Sequence, residues 1–174
     1  MITFAYENIL NLQVDAIVNP AHTSLFAGSG LCGIIHRYAG RELETYCRAF
    51  GAQNHGNVVI TPAFKLPNCQ KVIHACGPRW IDGNQNEEAT LEHLYTRIIE
   101  LAAQEEISSI AIPAISTGIY GFPFEKATRI ALKACLEMLE KTPMDLIFVN
   151  NESKKHEGYQ EIYRELSLKK GNQS

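Results

Sequence analysis

Two glycine-bearing stretches hold the residues of this sequence that can do chemistry. The first, NPAHTSLFAGSGLCGIIHRYAG (19–40), places Gly28, Ser29 and Gly30 directly before a helical pattern, with His22 and Cys32 on either side. The second, STGIYGFP (116–123), lies between an apolar run and another helical pattern. Glycine lets main-chain N–H groups approach a ligand closely. Amides at a helix start, helped by the helix dipole, favour phosphate. Two facing amide loops would hold a diphosphate from both sides, although the same glycines also serve ordinary turns, and residue type alone leaves both readings open. Neither stretch has the lysine of a P-loop or G-x-G-x-x-G spacing, which weighs against ATPase and dehydrogenase chemistry. Cysteine beside histidine is one route to an activated thiolate, but no third, orienting residue is identifiable here.

Such loops need rigid elements to aim them. The runs VDAIVN (14–19), NVVITPAF (57–64), KVIHACGP (71–78), SSIAIPAI (108–115) and DLIFVN (145–150) predict strands. Helical spacing predicts one or two helices over 31–50, and single helices over 87–105, 124–141 and 158–166. Near-continuous apolar strands alternating with helices predict an α/β sandwich around a mixed, mostly parallel central sheet. Residues 1–19 and 57–76 are the richest in strand, so an antiparallel edge is expected there. In open α/β sheets ligands gather beyond the carboxyl ends of the strands, where both loops fall. A single domain is expected over 1–168, followed by a polar, frayed tail at 169–174.

A chain of 174 residues can bury a core without staples. Its net charge of −3 weighs against a protein that grips nucleic acid mainly by electrostatics. The N-terminus lacks the charged and apolar regions of a signal peptide, and no apolar run reaches the roughly 18 residues of a membrane span. The five cysteines are odd in number, scattered and without a C-x-x-C pair. Free thiols in a reducing compartment follow, and a cytoplasmic location is the expectation.

The stretches VDAIVNPAHTSL…GSGLCGIIHRYAG, GNVVITPAFKLPNCQKVIHACGP and IAIPAISTGIYGFP, in this order and spacing, resemble the macrodomain family over roughly residues 2–166. The resemblance implies a three-layer α/β/α sandwich that binds ADP-ribose or a related nucleotide metabolite. The ligand-binding residues it implies are Gly28, Ser29, Gly30, Leu31, Gly33 and Ile34 in the first loop. In the second they are Ser116, Thr117, Gly118, Ile119 and Tyr120, with Tyr120 and Phe122 matching an aromatic lid over the distal ribose. Many members hydrolyse ADP-ribosyl esters or O-acetyl-ADP-ribose, which adds an ADP-ribosylated protein to the implied partners. No cofactor or metal is implied. The zinc-bearing branch carries a Cys/His insertion that this chain lacks, and a closed zinc site wants four ligands.

Departures from the family pattern fall at both ends of the implied ligand. Asn8, next to Ile9, replaces an Asp that accepts from the adenine amino group. Asn150 and Asn151 stand where an aromatic would stack on the base, with Phe148 as the alternative platform. At the distal ribose, Asn19 is kept, His22 replaces a second Asn, and Cys32 replaces the Asp that helps to activate water. A thiol is mostly protonated at neutral pH. The expected catalytic set is Asn19, His22 and Cys32, with slow hydrolysis, if any. The alternatives are a non-catalytic reader or sensor of ADP-ribose and, from another class, a regulator acting through protein contacts. His36 and His74 are expected to be packing residues; His55, His93 and His156 carry no signal.

Overall fold

Among the described residues six strands make one sheet: β1 (Ile2–Tyr6), β2 (Ala16–Pro20), β3 (Val58–Pro62), β4 (Lys71–Ala75), β5 (Ser109–Ile112) and β6 (Asp145–Asn150). Five helices flank it: α1 (Gly30–Ala39), α2 (Arg41–Arg48), α3 (Glu87–Gln104), α4 (Phe124–Lys141) and α5 (Ser153–Gly171). This is a computed structural model, and it describes residues 1–172. The strand order is β1-β6-β5-β2-β4-β3, parallel throughout except for the antiparallel β3–β4 pair at one edge. The mixed, mostly parallel sheet is therefore as expected, and its antiparallel edge falls within 57–76.

Strand alternation assigns the two cores. On one face Ala16, Val18, Ile73, Ile110, Ile112, Leu146 and Phe148 pack with the apolar stripes of α3, α4 and α5. On the other, Ile17, Val72, Ala111 and Val149 pack with Ile35, Ala39, Leu43 and Cys47 of α1 and α2. Both faces of β2 and β5 are covered, which explains why these strands read as continuous apolar runs.

The 31–50 region is two helices, because Gly40 breaks it with φ +92°, a conformation that L side chains rarely adopt. Strand β1 was not among the expected strands. The terminal helix runs further than expected in both directions, from Ser153 to Gly171, so residues 169–171 continue it. The end of the expected tail, 173–174, lies outside the described residues.

The chain leaves β2 towards the β4–β3 edge and leaves β5 towards β6 and β1. The order of winding reverses between β2 and β5, and a crevice opens there beyond their carboxyl ends.

Candidate functional site

A cleft of about 270 Å³ fills that crevice. His22, Ser29, Gly30, Leu31 and Cys32 line it from the segment after β2. Ser116, Gly118, Ile119 and Tyr120 line it from the segment after β5. Pro20, Ala21, Ala75, Gly77, Ala114 and Ile115, at the strand ends, complete the wall. Among the described residues no Lys, Arg, Asp or Glu lines it, so an anion here meets amides and no fixed side-chain charge.

The first loop is held open by close packing. A Cβ on Gly28 would lie 2.2 Å from His22 Nε2, and one on Gly33 would lie 2.2 Å from the Gly28 carbonyl oxygen. Imidazole, loop and first helical turn are therefore stacked on one another. Gly30 begins α1 with φ +62° and open space where a side chain would project. The amides of Gly30, Leu31 and Cys32 have no intrahelical partner, and the Ser29 side chain caps none of them. All three residues line the cleft, at the positive end of the helix dipole.

In the second loop Ser116 is the pivot. Its φ of +68° turns the chain over, its carbonyl accepts from Phe122 N–H at 2.9 Å, and Gly121 N–H donates to the Gly118 carbonyl at 3.0 Å. Within that tight turn the amides of Thr117, Gly118, Ile119 and Tyr120 find no acceptor among the described residues. Ser116 Oγ is buried without a partner, lying where a Cβ on Gly77 would reach 2.3 Å from it. Two rows of free amides thus border one uncharged cleft.

Beneath the first loop lies a buried polar cluster. Thr61 Oγ1 donates to the Pro62 carbonyl at 3.0 Å and accepts from His74 Nε2 at 2.9 Å. That leaves His74 Nδ1 to accept from Asn19 Nδ2 at 3.1 Å, so the ring is the neutral Nε2–H tautomer. Burial, and then the His36 ring beside it, hold the His74 pKa down at about 3. Burial likewise lowers the pKa of His36, partly offset by Glu44. Both histidines pack inside, as expected.

Asn19 Nδ2 also donates to Cys32 Sγ at 3.6 Å, and the thiol donates weakly to the Phe26 carbonyl at 3.8 Å. Burial raises the Cys32 pKa, outweighing the lowering by Asn19 and the nearby backbone at Gly28 and His22. Cys32 is 3% exposed, and among the described residues no hydrogen bond joins its thiol to the His22 imidazole. A thiolate pair has no geometric support.

The structure separates the expected residues. Of the catalytic set, His22 and Cys32 reach the cleft, whereas Asn19 is fully buried and holds His74 and Cys32 from behind. Among the ligand-binding set, Gly28, Gly33 and Thr117 shape the loops without lining the cleft, and Ile34 points out to solvent. Phe148 corrects the expectation of a base platform. It is fully buried, 6.1 Å from the Phe4 ring and 5.6 Å from Tyr159, and shows no face to a ligand. Asn8 and Ile9 follow β1 and Asn151 follows β6, on the same carboxyl edge, because Tyr6 pairs with Asn150. Asn8 Oδ1 accepts from Leu10 N–H at 3.0 Å, capping the short turn Ile9–Asn11. Phe122 is also buried, 4.8 Å from Trp80, so Tyr120 is the aromatic at the cleft.

Three residues near the site carried no sequence signal. Tyr6 is exposed at the β1 end, 5.9 Å from the His156 ring. His55 Nδ1 donates to the Gly77 carbonyl at 2.8 Å, and its ring lies 6.0 Å from Tyr120. Arg79 stacks over Tyr120 at 5.5 Å. Their separations in sequence hide these contacts. Among the described residues no helix is long and apolar enough to cross a membrane.

Comparison with known proteins gives a consistent result. Residues 18–131 match the Macro domain family. The chain is 43% identical over 148 residues to an O-acetyl-ADP-ribose deacetylase of Escherichia fergusonii, covering 82% of this chain and 83% of that one. It superposes on an Oceanobacillus iheyensis macrodomain with ADP at TM-score 0.88 and 31% identity, covering 95% and 91% of the two chains. A Trypanosoma brucei macrodomain in complex with ADP-ribose aligns at TM-score 0.83 and 32% identity, over 92% of this chain and 68% of that one.

Proposed function

Since the chain belongs to the macro domain family, we propose that it binds ADP-ribose through the two amide loops, with slow hydrolysis of an ADP-ribosyl ester at most. The observation that carries this reading is the pair of unpartnered amide rows on one uncharged cleft. Such a surface suits a diphosphate, whose charge is met by oriented N–H dipoles. The diphosphate lies between Gly30–Cys32 and Thr117–Tyr120, with the distal ribose towards His22, Cys32 and Tyr120. From the β2 end to the β1 end is three strand spacings, about 14 Å, enough to carry the base towards Ile9, Asn8 and Asn151. Tyr6, exposed at that edge, is the aromatic within reach of the base.

Calorimetry with ADP-ribose, AMP and ADP tests the binding, with Gly30→Glu as the probe variant. A glutamate there strains a left-handed position and sets a carboxylate where the phosphates sit. Affinity for ADP-ribose is expected to fall by roughly tenfold or more, since a single unit charge repelled at low dielectric outweighs about 1.4 kcal/mol. A folded variant with undiminished affinity would remove the clamp.

At the base end, Asn8→Asp keeps the turn cap and adds charge to the acceptor. ADP-ribose binding is expected to strengthen by up to about 1 kcal/mol. A clear loss would mean that position 8 faces something other than the adenine amino group.

Within this reading, turnover is the weaker half. Cys32 is buried with its thiol pKa raised, and a protonated thiol is no general base. This favours a reader or a slow hydrolase whose water is oriented by the substrate's own phosphate.

A further inference from the structure

The rim of the cleft beyond Tyr120 is unlike its interior. The interior has no fixed charge, whereas the rim has a guanidinium without a carboxylate. Arg79 stacks on the Tyr120 ring at 5.5 Å, is exposed, and makes no ion pair among the described residues. Glu87, the buried acid at the start of α3, is spent elsewhere. Its oxygens accept from the amides of Ile81, Asp82, Gly83 and Gln85 at 2.6–3.1 Å. Asp82 in turn accepts from Asn84 N–H at 2.8 Å.

The platform under Arg79 is fixed from several directions. The Tyr120 carbonyl accepts from Trp80 N–H at 2.9 Å, which ties the segment after β4 to the second amide loop. The His55 ring meets the Tyr120 ring edge to face at 6.0 Å, and its Nδ1 is committed to the Gly77 carbonyl. Tyr120 and Gly77 both line the cleft. A guanidinium stacked on an aromatic ring keeps its N–H groups free at its edge, in the fork that takes phosphate bidentately.

From this geometry we propose that Arg79, held over Tyr120, is a specificity-determining residue that favours an ADP-ribose whose distal ribose carries a phosphate monoester over one that carries a neutral acyl ester or no substituent. The inference rests on the ADP-ribose reading of the cleft. The diphosphate is held by amides inside, and the additional anion is held by the side-chain cation at the mouth. His55 acts here as a positioning residue, steadying the ring on which the guanidinium lies.

The experiment compares dissociation constants for ADP-ribose and for ADP-ribose phosphorylated on its distal anomeric carbon, in the native protein and in Arg79→Gln and Arg79→Lys. The native protein should prefer the phosphorylated ligand by about fivefold, the scale of an exposed ion pair. Arg79→Gln should bring that ratio close to one, and Arg79→Lys should retain part of it. Because the readout is a ratio, a general disturbance of the loop that weakens both ligands together leaves it unchanged. A ratio unaltered in Arg79→Gln, or a native protein that binds both ligands equally, overturns the role of Arg79 and leaves the ADP-ribose reading standing. A native protein that binds neither ligand removes the ADP-ribose reading itself.

Discussion

Replacing His22 by Asn together with Cys32 by Asp is expected to raise the turnover of O-acetyl-ADP-ribose by about 10²-fold, the lower end of what general-base assistance supplies. The native residue at 32 lines the cleft, but as a buried thiol whose pKa is pushed up by that burial. It therefore has little thiolate with which to take a proton from water. A carboxylate at the same place would accept from Asn19 Nδ2, which now reaches only sulfur at 3.6 Å. The burial that makes the thiol inert would raise the carboxyl pKa towards the range useful for a base at neutral pH. Asn at 22 would also replace the imidazole packed on Gly28 by a smaller side chain. The measurement is acetate release under saturating substrate, set beside ADP-ribose affinity to show that the cleft is intact. Unchanged turnover with intact affinity would mean that residue 32 does not address the water. Brisk native turnover that Cys32→Ser abolishes would instead make the thiol the working group.

Acid should cost this protein stability earlier than its carboxylates alone would dictate. An imidazole in an unfolded chain titrates near 6.5, whereas His74 in the folded protein is held down to about 3 by burial and by His36. Between those two values the unfolded chain binds a proton that the native state refuses, so stability falls as the pH falls. It is fully present above about 6.5, and this contribution stops declining below about 3. The slope is at most about 1.4 kcal/mol per pH unit, and the whole loss is roughly 3–5 kcal/mol. His36, lowered by the same cause, adds in the same direction. Urea unfolding at intervals from pH 7 to 5 isolates the effect, since ordinary carboxylates titrate lower. In His74→Gln the slope over that window should flatten, although the variant starts less stable at pH 7 for want of the Thr61 and Asn19 hydrogen bonds. A slope identical to that of the native protein would remove His74 as its origin.

The loops were legible because their requirement is local. Gly28 and Gly30 lie at a helix start and Gly118 in the turn that precedes one, each after an apolar strand, and that pattern is written in neighbouring letters. The strands were legible where both faces are buried, as in β2 and β5, and not where one face is wet. β1, with Thr3 and Tyr6 exposed at the sheet edge, does not stand out from a loop. Phe148 shows a different limit. An aromatic near a strand end reads equally well as a platform or as core until register is known. Its pairing with Phe4 and Ile112 puts it on the face covered by α4 and α5. Asn19 was misplaced for the same reason, since alternation along β2 turns it inward towards His74. The contacts of His55, Gly77, Arg79 and Tyr120 join three separate segments, and no single stretch of sequence contains them.

The amide-lined cleft has a bearing on descent. Every residue except proline owns a main-chain N–H, so a grip made of amides is inherited with the shape of the loops and hardly with the letters in them. Only the positions that must stay small or left-handed are constrained. The groups that would handle water are ordinary side chains, each replaceable by one codon change. In such a lineage the ability to hold the ligand and the ability to cut it are separate traits. The second can be lost at positions such as 22 and 32, and regained there, while the first passes on undisturbed.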